Sequence, residues 1–129
     1  MFELTINDTV YQFNFGMGFL RELDPTVTKP IDGIHGKVQN LGVQYAIAGI
    51  IDGDINALED VLLRANKGFE PRLTQKVLDS YVEDSDTDLD KLFDDVMGFL
   101  KKANVTKKTV QSLLEAIENE KAKEAAKEE

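Results

Sequence analysis

With 129 residues and 42% hydrophobic content, the chain suits a single folded domain with a buried core rather than a disordered segment. Its formal net charge of −9 disfavours binding to nucleic acid or to anionic membranes, because like charges repel. Cysteine is absent, which excludes disulfides, thiol catalysis and cysteine-ligated zinc, and no apolar stretch approaches the roughly 20 residues that a helix needs to span a bilayer.

The first predicted element is a β-hairpin formed by two short alternating runs on either side of residues 7–8. These two residues, an asparagine and an aspartate, tolerate the positive φ of a tight two-residue turn. The resulting register places Phe2 opposite Phe13 and Leu4 opposite Tyr11. The apolar side chains of both runs then share one face, which must be covered because an isolated two-stranded hairpin is marginally stable in water.

A short helical segment follows at residues 15–24, and we expect it to fold back over the apolar face of the hairpin. Pro25 ends this helix, because the residue before a proline disfavours the helical conformation. Gly16 and Gly18 resemble the start of a dinucleotide-binding loop, but the third glycine and the following βαβ unit are missing. We therefore interpret these glycines as residues that let the chain bend sharply from strand into helix.

Residues 25–40 are predicted to form an irregular connection, because prolines and glycines interrupt them repeatedly. His35, the only histidine of the chain, lies in this connection. It has no serine or cysteine constellation and no second histidine to join, so we interpret it as an ordinary loop side chain rather than a catalytic residue.

Five further segments carry apolar residues at helical spacing. They cover residues 41–51, 55–66, 71–81, 89–100 and 106–117. Asp54 and Thr106 are expected to cap two of these helices, and Pro71 is expected in the first turn of a third. The predicted fold is therefore mainly α, with an N-terminal two-stranded β-hairpin packed on a bundle of about five short helices.

An acidic run before the fourth of these helices imitates a calcium-binding loop. With Asp84 at position 1 of such a loop, Asp86 and Asp88 occupy positions 3 and 5, and Asp95 occupies position 12. Position 6, however, is Leu89 instead of the glycine that the sharp turn needs, and an aspartate at position 12 is too short for the usual bidentate contact. We predict no metal or cofactor site, and we interpret the run as a connector whose carboxylates cap the following helix.

The last predicted helix carries an apolar stripe at i, i+3, i+4 and i+7, formed by Val110, Leu113, Leu114 and Ile117. Several short amphipathic helices in so small a chain display more apolar surface than one compact core covers. We predict that this stripe binds a partner, either another copy of the chain in a homo-oligomer or a helical client. The alternative is that the stripe closes the core of the bundle.

The sequence after this helix changes character. Residues 118–129 are rich in helix-forming residues and contain no aliphatic side chain larger than alanine, so they can extend the helix but cannot bury a face. We predict a single hairpin-plus-helical domain at residues 1–117 and a charged, solvated C-terminal tail at residues 118–129.

Several of these segments resemble the tail assembly chaperones of long-tailed bacteriophages and prophages. The most specific segment covers residues 6–24, which read I-N-x-x-x-Y-x-F-x-F-G-x-x-F-x-R-E-L-D. A glycine-led helix at residues 41–43, a G-D turn at residues 53–54 and an L-x-x-L-F-D-x-V helix at residues 89–96 extend the resemblance. The connection at residues 25–40 departs from it, because it is longer than the family pattern predicts.

The resemblance implies a non-catalytic protein that binds the long, helical, aggregation-prone tape measure protein and keeps it soluble while tail subunits polymerise around it. It implies release of this client by competition from the tail tube protein, since the chain carries no nucleotide motif. It also implies a cytoplasmic protein of the bacterial host that is absent from the mature virion. The N-terminus agrees, because it lacks the basic and apolar runs of a signal peptide.

Two other classes of function compete with this interpretation. One is an acidic helical adaptor or regulatory module that binds a different protein, which the sequence does not distinguish from a chaperone. The other is a small enzyme, which is disfavoured because no nucleophile, base and orienting group can be assembled from these residues.

Overall fold

The computed structural model describes residues 1–128 of the chain and begins with the predicted hairpin. Strand β1 (Phe2–Ile6) pairs with strand β2 (Thr9–Phe13) in antiparallel orientation. The buried and half-buried apolar side chains of the two strands are Phe2, Leu4, Ile6, Tyr11 and Phe13. Because side chains alternate along a strand, this hairpin presents one apolar face to the core and one polar face to solvent.

The register of the hairpin is the one that its alternating pattern predicted. Phe2 pairs with Phe13 and Leu4 with Tyr11. The two tip residues have φ values of 51° and 64°, as the asparagine and aspartate at the turn allow. The prediction is therefore confirmed, including the choice of turn residues.

Six helices follow within the described residues, so the predicted mainly α fold is confirmed. They are α1 (Met17–Leu23), α2 (Gly42–Ile51), α3 (Ile55–Asn66), α4 (Gln75–Glu83), α5 (Leu89–Lys102) and α6 (Lys107–Glu128). Helix α2 is central, because it contacts α1, α3, α5 and α6. The core lies between the inner face of the first hairpin and these helices, and its fully buried side chains include Phe13, Leu58, Leu62, Val96 and Leu100.

Residues 25–40 differ from the irregular connection that the sequence predicted. A single 3-10 turn (Asp24–Thr26) is followed by a second antiparallel hairpin, formed by β3 (Thr28–Pro30) and β4 (Val38–Asn40). Two successive tight turns join the strands, with φ of +81° at Gly33 and +80° at Gly36. The glycines that we interpreted as signs of irregular structure are the residues that permit these turns.

The start of α4 was also predicted incorrectly. Pro71 lies in the preceding connection, and α4 begins only after Thr74, whose hydroxyl accepts a hydrogen bond from the Val77 amide at 3.3 Å. The connection is held in place by the buried side chain of Asn66 at the end of α3. Its Oδ1 accepts the Leu73 amide at 2.6 Å, and its Nδ2 donates to the carbonyl oxygens of Gln12 at 3.0 Å and Pro71 at 3.4 Å.

Asn66 therefore joins three parts of the molecule: strand β2, the end of α3 and the connection before α4. It is fully buried, and both ends of its amide find partners, so its burial carries no penalty for unpaired polar atoms. The sequence suggested only that this residue closes a helix.

The beginning of α6 agrees with the sequence, but the role of Thr106 differs from a simple side-chain cap. The Thr106 hydroxyl is buried and donates a hydrogen bond to the Leu100 carbonyl oxygen at 2.7 Å, which ties the end of α5 to the start of α6. Beyond this point α6 continues as one helix to Glu128, and its side chains at positions 118–127 are exposed. The division into a domain and a tail stays a prediction.

The first residue of α2, Gly42, lies close to the backbone at the end of α1. A Cβ atom at this position would lie 1.9 Å from the Leu23 carbonyl oxygen and 2.7 Å from that of Asp24. Only a residue without a side chain allows the start of α2 to approach the end of α1 so closely. The Leu41 amide, one residue earlier, donates to the Val27 carbonyl oxygen at 2.7 Å and closes the base of the second hairpin.

Candidate functional site

The apolar stripe of α6 is divided between the core and the surface. Val110 is buried, with 1% of its surface exposed, and belongs to the core. Leu113, Leu114 and Ile117 are half-buried. These three side chains line two neighbouring grooves, so the structure places part of the predicted partner-binding stripe at the surface and part of it inside.

The first groove, which we call the α6 groove, lies between α6 and the end of α2. Its volume is about 360 Å³. Its apolar lining consists of Ala48, Ile51, Leu113, Ala116 and Ile117. Its charged lining consists of Asp52, Glu120, Lys121 and Glu124. The α6 groove thus has an apolar floor and a mainly acidic rim.

The second groove, which we call the α5 groove, lies where α5 faces the α2–α3 turn and α6, and its volume is about 750 Å³. Its apolar lining includes Ile51, Ile55, Leu89, Phe93, Met97 and Leu114. Asp90, Asp94 and Lys101 also line it. Because Ile51 borders both grooves, the two form one continuous apolar surface on this side of the molecule.

Helix α5 explains why the second groove is apolar. One of its apolar stripes, Leu92, Val96 and Leu100, is buried in the core. A second apolar stripe at residues 89, 93 and 97 repeats at i, i+4 and i+8 and is only half-buried. These side chains pack in part against the core, and the part of them that stays exposed is surplus apolar surface. Helical spacing predicts one apolar segment over residues 89–100 and does not separate the two stripes.

The acidic run before α5 acts as the predicted helix cap. Asp88 accepts a hydrogen bond from the Lys91 amide at 3.0 Å, and Asp84 accepts one from the Asp86 amide at 2.9 Å. Asp95, which would occupy position 12 of a calcium loop, forms an ion pair with Lys91 at 2.8 Å. This ion pair raises the pKa of the Lys91 ammonium group. Within residues 1–128, no group of three or more metal-ligating side chains is placed to hold an ion.

A carboxyl group between α3 and α4 has a strongly shifted pKa. Glu59 of α3 faces Asp79 and Glu83 of α4. Burial, a hydrogen bond with Asp79 and the negative charges of Asp79 and Glu83 together raise the pKa of Glu59 to about 7. The groups that act on Glu59 are carboxylates of the facing helix, so we assign it to the packing of α3 against α4.

The remaining residues singled out in the sequence lie apart from the grooves. His35 is exposed in the second hairpin. Gly16 and Gly18 line a depression near Glu22 and Lys67, whose side chains form an ion pair between α1 and α3. The hydrogen bond and charge of Lys67 lower the pKa of Glu22. This depression therefore contains a structural ion pair beside the two glycines.

A family model described as phage tail assembly chaperone protein, TAC, matches residues 3–115. The chain belongs to this family. The match covers both hairpins, helices α1 to α5 and the first part of α6. No curated protein and no solved structure gives a significant match.

Membership of this chaperone family implies interaction with phage tail proteins and suggests a non-catalytic role. The matched range includes Val110, Leu113 and Leu114 and ends two residues before Ile117. Among the described residues, the chaperone has no helix that is both long and apolar enough to cross a membrane.

Proposed function

We propose that this chain binds the phage tape measure protein and keeps it soluble during tail assembly, without catalysing a reaction. The observation that carries the proposal is the combination of family membership with a continuous apolar surface beside α6. A helical client can place one apolar face in such a groove, as amphipathic helices do in many complexes. The acidic rim then keeps the complex soluble.

We assign the client to the α6 groove. Leu113 and Ile117 provide its apolar floor, and Ala48 and Ile51 provide the facing wall on α2. Helix α6 continues beyond the groove, with exposed side chains at positions 125–127, which offers further surface for a second helix to lie against. Val110 lies beneath this surface and supports it from the core.

The proposal includes the place and sequence of events. Binding occurs in the cytoplasm of the bacterial host, and the chaperone is absent from the mature virion. The tail tube protein releases the client by competing for its apolar helices, because no nucleotide-binding motif is available to drive release. The chaperone acts as a homo-oligomer. An acidic adaptor for another protein is the alternative, and the family match favours the chaperone.

The direct test is co-expression with the candidate tape measure protein. We expect the wild-type chain to bring the client into the soluble fraction and the Leu113→Asp/Ile117→Asp variant to fail, because two charges would lie on the groove floor. Ser112→Asp/Asn119→Asp is the matched control: it adds the same charges to α6 at exposed positions outside both grooves. Solubilisation of the client by the Leu113→Asp/Ile117→Asp variant would overturn the assignment of the client to the α6 groove.

Because Leu113 is half-buried, circular dichroism must show that the Leu113→Asp/Ile117→Asp variant is folded. Ala116→Glu provides a second test, since Ala116 is exposed and lines the same groove. It blocks the groove without touching the core. If Ala116→Glu is folded and still solubilises the client, the client binds elsewhere. If the wild-type chain does not solubilise the client, the chaperone proposal itself is wrong.

A further inference from the structure

The second hairpin extends into solvent with apolar side chains exposed. We call residues 28–40 the arm. Every residue of the arm is exposed, and the exposed fractions of Ile31, Ile34 and Val38 are 37%, 52% and 56%. No side chain of the arm belongs to the hydrophobic core or is packed against it. The arm therefore contributes apolar surface to solvent and none to the core.

The arm is nevertheless regular in its backbone. The Ile31 amide donates to the Lys37 carbonyl oxygen at 3.1 Å, and the amides of Ile34 and Lys37 close the two tight turns. A two-stranded hairpin is marginally stable when it stands alone in water. A regular hairpin that displays three large aliphatic side chains is consequently a surface suited to a partner that covers them.

The charge of the arm is opposite to that of the rest of the chain. The arm carries Lys29 and Lys37 against a single carboxylate, Asp32, whereas the whole chain has a net charge of −9. The α5 groove has the opposite sign, because two aspartates and one lysine line it. Asp90 and Asp94 lie one helical turn apart at its edge, both exposed and without an ion pair among the described residues.

The arm and the α5 groove lie near opposite ends of α2. The base of the arm is closed by the hydrogen bond between Leu41 and Val27, directly before α2 begins. The groove is lined by Ile50 and Ile51, where α2 ends. A ten-residue helix is about 15 Å long, and no residue of the arm lines the groove of its own chain. The groove is thus open to another molecule.

We propose that the arm of one copy of this chain docks in the α5 groove of a second copy. Its aliphatic side chains cover the surplus stripe of α5, and its lysines approach Asp90 and Asp94. Arm and groove are different surfaces, so each copy gives its arm to one neighbour and receives the arm of another. Such head-to-tail contacts close into a ring or extend into a helical array.

Charge reversal tests the proposal without any client. The arm variant is Lys29→Glu/Lys37→Glu, and the groove variant is Asp90→Lys/Asp94→Lys. All four side chains are exposed, so both variants are expected to keep the fold, which circular dichroism checks. In sedimentation velocity we expect the wild type to associate with increasing concentration and each variant to sediment as a monomer.

The decisive measurement is an equimolar mixture of the two variants. Glutamates on the arm of one variant then meet lysines in the groove of the other, and the unchanged arm meets the unchanged groove. We expect the mixture to sediment as the wild type does. The control Lys76→Glu/Lys123→Glu changes the net charge as the arm variant does, at exposed positions outside both surfaces, and should associate normally.

Three results would overturn the proposal: a wild type that stays monomeric at its highest soluble concentration, arm and groove variants that associate as the wild type does, or a mixture that stays monomeric. None of these results depends on the tape measure protein. A monomeric wild type would also overturn the homo-oligomer of the proposed function, whereas client binding is tested separately by co-expression.

Discussion

The molecule contains two antiparallel hairpins that have the same topology and opposite environments. In the first, β1 and β2 each have five residues and bury alternate side chains against helices. In the second, β3 and β4 each have three residues, and none of their side chains is buried. Phe13 in the first hairpin is fully buried, whereas Val38 in the second is more than half exposed.

A short hairpin contributes to the stability of the fold only through the elements against which it packs. The first hairpin completes the core: the ring of Phe2 lies 5.4 Å from that of Phe13 and 4.9 Å from that of Phe99 on α5. The second has no comparable support, so its backbone hydrogen bonds alone define its shape. The stability of the fold should therefore depend on one hairpin and be nearly independent of the other.

The largest expected contrast comes from shortening one aliphatic or aromatic side chain in each hairpin. Phe13→Ala should lower the free energy of unfolding by about 4 kcal/mol, because it leaves a cavity among fully buried neighbours. Val38→Ala should change it by less than about 0.5 kcal/mol, as surface substitutions do. Urea unfolding measures both, and similar losses would contradict the comparison.

The second expected effect concerns the link between the first hairpin and the helices. Asn66→Ala should lower the free energy of unfolding by about 3 kcal/mol, because the Leu73 amide loses its partner in a buried site and the Gln12 carbonyl loses its link to α3. Asn56→Ala is the control, since the Asn56 side chain is exposed on the same helix. Equal stabilities of the two variants would show that Asn66 is not the link.

The third expected effect concerns the base of the second hairpin. Gly42→Ala should cost about 2 kcal/mol, because the added methyl group must displace the Leu23 carbonyl. Gly98→Ala, in α5, should instead stabilise by about 1 kcal/mol, because no atom lies within 4 Å of the added methyl group and alanine favours a helix. Thermal melts of the two variants should shift in opposite directions, and shifts in the same direction would refute this explanation.

The smallest expected effect on global stability is at the tip of the arm. Gly36→Ala strains the arm locally by about 1 kcal/mol, because an alanine must adopt a φ near +80°. Since the arm does not contribute to the core, the melting temperature should stay unchanged while association of copies weakens. A melting temperature lowered as far as that of Gly42→Ala would show that the arm is part of the folding unit.

Much of the fold could be predicted from the sequence where apolar residues recur with a regular period over a long segment. The alternation of residues 2–13 sufficed for the register of the first hairpin, and Asp54 caps α3 as predicted, with its carboxylate 2.9 Å from the Asn56 amide. The second hairpin could not be predicted in the same way. Strands of three residues show no alternation, and glycines at tight turns look the same as glycines in irregular loops.

The candidate site was predictable only in part. The i, i+3, i+4, i+7 stripe of α6 is visible in the sequence, but spacing alone does not separate Val110 in the core from Ile117 at the surface. The two stripes of α5 overlap in the sequence, and only the packing of neighbouring helices determines which one is covered. The linking role of Asn66 could not be predicted from the sequence. A polar residue at the end of a helix is common, and its partner Gln12 is distant along the chain.

The crowded carboxyl group on α3 links folding to proton uptake. The pKa of Glu59 is about 7 in the folded chain, against an ordinary value of 4.5. Between these two pH values the folded state binds more protons than the unfolded state, so the free energy of unfolding decreases as the pH rises. This group penalises the fold least below its ordinary pKa and most above about pH 7. The contact between α3 and α4 is therefore weakened as the pH rises from about 4.5 to about 7, and further alkalinity adds nothing through this group.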